Sequence, residues 1–282
     1  MEKSQENKNK KILNFCKAEA TGNDFVFIDL TDEINKFVVD QVLKKVSIGD
    51  FAKFVADHHL GIGADGVVFL HPPKMSENDY RWEFFNSDGS HADMCGNATR
   101  AVTVALNLKN GRTKFKIETA TSLIKTELVK ENFVETTMAP VKLVKDNIKG
   151  NFRGSEVTCT LIDSGVPHAV IKTKSLENLD ELEAMAVDLK SQNLFGKGNA
   201  NVTFVAIKSG EAQAITHERG VEYFTLSCGT GALAAAWWIK TNRPKEWQGS
   251  IELPGGVVKV VLGEETKLIG PARVVFAGAL YV

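Results

Sequence analysis

Met94-Cys95-Gly96-Asn97-Ala98-Thr99-Arg100 and Cys228-Gly229-Thr230-Gly231-Ala232-Leu233 are the stretches on which the reading of this chain turns. Each is a Cys-Gly pair at which a β-rich run passes into a helical pattern, and the two stand nearly half the chain apart. Beyond the first, Ala98, Ala101, Val102, Ala105 and Leu106 form the i, i+3, i+4 stripe of a core-facing helix, widened by Val104 and Leu108. Beyond the second, residues 232–239 are apolar on every side, so that helix must be surrounded by protein. Two similar halves, each wrapping sheet around one central helix, account for both.

Outward from these helices, short β-rich runs recur at 24–30, 66–70, 80–85, 114–118, 123–130, 133–138, 157–162, 169–172, 202–207, 221–226, 257–262 and 273–276. Further helical periods lie at 34–46, 51–59 and 176–190. Few helices sit between successive strands, which favours α+β over a doubly wound parallel sheet.

Composition narrows the function classes. With 282 residues, 43% hydrophobic and 24% charged, the chain is of ordinary globular type, with room for one large domain or two. Lys and Arg number 34 against 35 Asp and Glu, so the basic surplus that attracts nucleic acid or an anionic membrane surface is absent. The longest strongly apolar run, 231–239, is far short of the roughly 18 residues of a membrane span. The opening residues 1–11 are polar and charged, read as a frayed tail without a secretory segment. Four cysteines (Cys16, Cys95, Cys159, Cys228) are too few for a disulfide scaffold, which points to a reducing, cytoplasmic setting. There is no CxxC pair, and His91 with Cys95 lacks a second pair of ligands at metal spacing, so no metal is expected.

A thiol at a helix N-terminus meets unpaired N–H groups and the positive end of the helix dipole, both of which favour the thiolate. The same N–H groups bind carboxylates, and the small or polar residues after each cysteine (Gly96, Asn97, Ala98; Gly229, Thr230, Gly231) leave the backbone approachable. A carboxylate held by two such helix starts, with a sulfur on either face of its α-carbon, is the arrangement of a two-base racemase that needs no cofactor. One cysteine takes the α-proton as thiolate and the other returns one as thiol. A single Cys-Gly before a helix is more often a buried small residue at a turn; two matched sites shift the balance.

Further strings complete the pattern: Ala20-Thr-Gly-Asn-Asp-Phe25, Gly61-Ile-Gly-Ala-Asp-Gly66, Asn86-Ser-Asp-Gly-Ser90, Pro167-His168, Glu218-Arg-Gly220 and Leu253-Pro-Gly-Gly256. Taken in order with the two Cys-Gly stretches, they resemble diaminopimelate epimerase from about Phe15 to the C-terminus. The resemblance implies two pseudo-symmetric lobes, 12–140 with 271–282 carrying Cys95 and 141–270 carrying Cys228, with the site in the cleft between them and the last strand returning to the first lobe. It implies cofactor-independent conversion of LL-diaminopimelate to the meso form, in lysine and peptidoglycan synthesis, by a homodimer. Carried over by position, Cys95 and Cys228 are the catalytic pair, and Gly96, Asn97, Gly229 and Thr230 form the carboxylate cradle. Asn23 lies near the reacting amino group, and His168 and Glu218 ionise or orient the thiols. Asn86, Asn201 and Arg219 fix the distal amino-acid head, for which the planar fork of an Arg is suited. On local grounds alone, Asn86 before Asp88-Gly89 reads equally as turn chemistry and Arg219 as a surface ion-pair residue.

Several positions depart from the pattern. Val166 precedes Pro167-His168 where the family carries an amide, Ala98 follows Asn97 in place of Gly, and Glu19 replaces a His. The stretch 221–227 before Cys228 is one residue longer than usual, with Tyr223-Phe224-Thr225 for Gly-Glu-Thr. Val166 and that stretch keep open a racemase for another amino acid, or a protein that binds an amino acid without turnover. Cys16 and Cys159 read as small core residues; His58, His59, His71 and His217 are expected on surfaces or helix ends. Asp65 is matched by the pattern, but Asp-Gly is also a common turn, and it is left outside the expected site.

Overall fold

The structure is a computed structural model describing residues 11–197, 199–208, 210–243, 245 and 247–282; the stretch 1–10, which makes up most of the expected tail, lies outside them. Two compact units result: Met1–Val134 with Ala272–Val282, and Glu135–Pro271.

In the first unit, β1 (Ile12–Ala20) pairs antiparallel with β2 (Asn23–Asp29), and α1 (Glu33–Val42) and α2 (Ile48–Ala56) then lead to β3 (Gly66–His71), parallel to β2. β4 (Tyr80–Asn86) returns antiparallel to β3. The short β5 (His91–Ala92) and α3 (Gly96–Asn110) then cross to β6 (Lys114–Glu118), parallel to β4, and β7 (Leu123–Lys130) turns back on β6. After β8 (Phe133–Met138), the second unit runs through β9 (Lys142–Phe152), β10 (Ser155–Asp163) and β11 (Pro167–Lys172), joined antiparallel. α4 (Leu179–Ser191) crosses to β12 (Asn201–Lys208), parallel to β11, and β13 (Glu211–His217) returns antiparallel. α5 (Gly229–Asn242) crosses to β14 (Ser250–Leu253), parallel to β13, followed by antiparallel β15 (Gly256–Val261) and β16 (Thr266–Pro271). β17 (Arg273–Tyr281) belongs to the first unit, antiparallel to β1, and Lys11 and Val282 exchange two backbone hydrogen bonds of 2.9 Å beyond it.

The class is α+β, and each unit repeats one succession: an antiparallel pair, a helical crossover to a parallel strand, a second antiparallel pair, and a second crossover through a buried helix that begins after a cysteine. Every one of these helices bridges a parallel pair, as parallel strands require; the sequence reading underrated that arrangement. In the first unit, alternation along β2 sends Phe25 and Phe27 to the α3 side, against Ala98, Ala101 and Val102. Val26 and Ile28 go to the opposite face, against Val38, Phe51 and Val55 of α1 and α2. In the second unit, Leu182, Ala186 and Leu189 of α4 cover Ile171, Phe204 and Ile215. α5 lies against β11 to β15, and Ala232 through Ala236 and Ile239 are buried, as an all-apolar helix requires.

The run 221–226, expected as a strand, is a turn with one isolated bridge between His217 and Phe224. Gly220 at φ 83 and Glu222 at φ 59 are left-handed, a conformation no strand contains. Strands β1, β5, β9, β13, β14 and β16 escaped the reading; in β1, β9 and β14 polar side chains on the exposed face blur the period-two pattern.

Candidate active site

Three helices begin on ordinary caps: Asp32 for α1, Ser47 for α2 and Asn178 for α4, each accepting a hydrogen bond from a backbone N–H of the first turn. The two buried helices put a cysteine there instead. Cys95, in extended backbone at φ -142, ψ 120, caps α3 without a side-chain cap hydrogen bond, which leaves the first N–H groups of α3 without a capping side chain. Cys228 caps α5 at φ -121, ψ 106, and its sulfur accepts from Gly231 N at 3.4 Å.

Around Cys95 the polar groups are amides. Cys95 Sγ lies 3.9 Å from Asn23 Oδ1, which also accepts from Asn97 Nδ2 at 3.0 Å. Asn23 Nδ2 donates to Asp65 Oδ2 at 2.6 Å, so the amide is fixed with its oxygen toward the sulfur. Asp65 also accepts from Asp24 N, so it is a brace of the site that the sequence reading set aside; the Gly61–Gly66 string was the signal for it. A second missed residue is Arg100, wholly buried within α3, whose guanidinium donates to Asn97 Oδ1 and Thr21 Oγ1, both at 2.9 Å, and to Gly96 O at 3.3 Å. Burial pulls Arg100 down to about 10, a shift that Cys95 and Glu19 oppose in their ionised forms, so it remains a cation at neutral pH. One charged residue in an otherwise core-facing stripe was the available sign. Asn86 sits apart, in an exposed turn where Nδ2 donates to Ser90 Oγ at 2.9 Å; Ser87 N reaches Asp65 O at 3.0 Å.

Around Cys228 the groups form a chain. Cys228 Sγ lies 3.4 Å from Thr230 Oγ1, which lies 3.0 Å from His168 Nε2, and His168 Nδ1 lies 2.8 Å from Thr203 Oγ1. Asn201 Oδ1 accepts from Arg219 N at 2.9 Å, which orients that amide so that its Nδ2 donates to His168 Nε2 at 3.3 Å. Nε2 is therefore the acceptor and Nδ1 carries the proton. Burial, with Arg219 nearby, pushes His168 down to about 3, so the ring is neutral and serves as a hydrogen-bond acceptor. Glu218 accepts from Thr225 Oγ1 at 2.6 Å, and Arg219 reaches Asn199 O at 3.4 Å. Gly231 has a packing reason for its size: a Cβ there would lie 2.2 Å from Thr216 Oγ1. The other cysteines fit the core reading, with burial pushing Cys16 and Cys159 each up to about 11. His58 and His59 are exposed, whereas His71 pairs with Glu83 at 3.2 Å and His217, expected at a surface or helix end, is fully buried on β13. Among the described residues, no group of three His, Cys, Asp or Glu is placed to hold a metal, and no helix is long and apolar enough to cross a membrane.

This pairing of cysteine-capped buried helices coincides with a sequence match: the diaminopimelate epimerase family model covers residues 15–144 and 160–275. The chain belongs to the diaminopimelate epimerase family. It is 35% identical to the diaminopimelate epimerase of Aquifex aeolicus, over 95% of this chain and 98% of the relative. It is 34% identical to that of Carboxydothermus hydrogenoformans, over 96% and 100%. As a member it is an isomerase of the epimerase type. Among solved structures, a hydroxyproline epimerase from Agrobacterium vitis shares the fold, with TM-score 0.68 at 16% identity, over 96% of this chain and 93% of that one. A phenazine biosynthesis protein of the PhzF family from Bacillus anthracis does so too, with TM-score 0.68 at 15% identity, over 96% and 100%.

Proposed function

We propose that this member of the diaminopimelate epimerase family inverts one α-carbon of 2,6-diaminopimelate, LL to meso, using Cys95 and Cys228 as the proton-transferring pair and no cofactor. The observation that supports it most is that the N-cap of each buried helix is a cysteine, in two units of otherwise matching strand succession. In this reading the backbone N–H groups of Gly96, Asn97, Gly229 and Thr230 receive the carboxylate of the reacting head, withdrawing charge from the carbon as its proton leaves. One thiolate takes the α-proton, the Cα–H bond breaks to leave a carbanion, and the opposite thiol protonates that carbon on its other face. The two cysteines end with their protonation states exchanged.

In this reading the starting states follow hydrogen-bond sense. An acceptor, Asn23 Oδ1, faces Cys95, while the N–H of Gly231 donates to Cys228. The free enzyme in this reading holds its proton on Cys95 and its negative charge on Cys228, with Thr230 and His168 fixing the second sulfur. Asn23 serves the reacting amino group, Glu218 orients the loop before Cys228 through Thr225, and Arg219, Asn201 and Asn86 hold the distal head. The wider setting that follows is lysine and peptidoglycan synthesis in the cytoplasm, by a homodimer.

Proton NMR of the reduced protein in heavy water tests the reading, with LL-diaminopimelate beside a panel of single-headed L-amino acids. Loss of the α-proton signal and growth of the meso isomer with diaminopimelate alone is the expected result. Exchange with a single-headed amino acid would keep the thiol chemistry and move the substrate, with Val166 the first position to revert. Binding without exchange would make the chain an amino-acid-binding protein.

A further inference from the structure

The turn 218–227 carries Arg219 and is tied to the end of α4 by a buried lysine. Lys190, near the end of α4, is only 8% exposed, and its Nζ is held between His217 Nδ1 at 2.9 Å and Glu222 Oε2 at 3.1 Å. A buried ammonium is costly unless paired, so this contact is built rather than incidental. The other oxygen of Glu222 accepts from Gly220 N at 2.9 Å. On its opposite side, the carbonyl of Lys190 accepts from Asn199 Nδ2 at 3.3 Å, and the carbonyl of Asn199 accepts from Arg219 at 3.4 Å. A closed ring results, Lys190 to Glu222 to Gly220 to Arg219 to Asn199 and back, along the wall of an open pocket of about 690 Å³.

Two costs are tolerated to keep this ring. Glu222 adopts φ 59, a left-handed conformation that is strained for a residue with a Cβ. His217, with Nδ1 accepting from Lys190, leaves its Nε2 buried without a hydrogen-bond partner. Burial and the Lys190 charge both lower the affinity of His217 for a second proton, so the ring stays neutral and remains an acceptor for the ammonium.

We propose that Lys190, braced by His217, is a positioning residue that clamps the Arg219 turn through Glu222 and so sets how tightly the enzyme holds the distal carboxylate of its substrate. The inference rests on the assignment of Arg219 to that carboxylate. Lys190→Met removes the ammonium at similar volume, and Glu222→Gly removes the carboxylate while relieving the left-handed strain, so the second variant tests the clamp independently of any loss of folding in the first. For both, KM for LL-diaminopimelate is expected to rise about tenfold with kcat changed less than about twofold, the signature of lost ground-state binding. Amide hydrogen exchange of the segment 218–224 in the unliganded protein is expected to quicken in both. Unchanged exchange there would overturn the clamp, whatever the substrate. Faster exchange with unchanged KM would overturn its link to recognition. If the parent protein leaves diaminopimelate untouched, it is the functional reading that fails, and the exchange data alone decide the clamp.

Discussion

The start of α3 and the start of α5 share a cysteine cap and little else. At α3 the sulfur faces an amide oxygen, and behind that amide stands a buried cation, Arg100, holding Asn97 and Thr21. At α5 the sulfur is itself buried, accepts a backbone N–H, and leads through Thr230 to a neutral imidazole. Two sites with the same local sequence signal therefore differ in hydrogen-bond sense, and a proton-transfer pair that starts with one thiol and one thiolate needs that difference.

The largest expected effect breaks the pair altogether: Cys95→Ala or Cys228→Ala should lower α-proton exchange with LL-diaminopimelate at least about a thousandfold, read by NMR in heavy water. Full turnover in either variant would sink the two-thiol chemistry. At the α3 end, Arg100→Met removes one donor each from Asn97 Oδ1, Thr21 Oγ1 and Gly96 O and should cost about 2–4 kcal/mol in denaturant unfolding. Arg100→Lys, which keeps the charge and loses the fork, should fall between.

At the α5 end the prediction concerns pH. His168 binds a proton at about 3 when folded, against an ordinary value of 6.5 when unfolded. Between those values the unfolded chain holds more protons, so stability falls as pH drops from about 6.5 toward about 3. His168→Gln should flatten that acid loss in unfolding curves, whereas an unchanged slope would place the loss elsewhere. The smallest effect addresses the asymmetry directly: at neutral pH, ultraviolet thiolate absorbance should drop more in Cys228→Ser than in Cys95→Ser. The reverse order would exchange the two roles.

The comparison also shows what local pattern can carry. The buried helices were legible because apolar spacing at Ala98, Ala101, Val102 and Ala105, and an unbroken apolar run after Gly231, leave no solvent face. Both cysteine caps were legible for the same reason, since each pattern begins on a Cys-Gly pair. Val221 to Leu226 misled because β-branched and aromatic residues read as strand, while the left-handed backbone at Glu222 depends on a lysine on another element. His217 misled likewise: its partner is Lys190, and nothing adjacent to it in sequence announces that contact.

By itself the sequence determined the α+β class, the two central helices, the cysteines that open them and the family to which the chain belongs. These are consequences of periodicity and short strings, which act within a few residues of one another. Only the tertiary structure decided that Asp65 orients Asn23, that Arg100 stands buried behind Asn97, that His168 is neutral, and that Lys190 holds the Arg219 turn. Those outcomes depend on desolvation and on hydrogen bonds between distant segments, and a side chain acquires neither until the chain has closed around it.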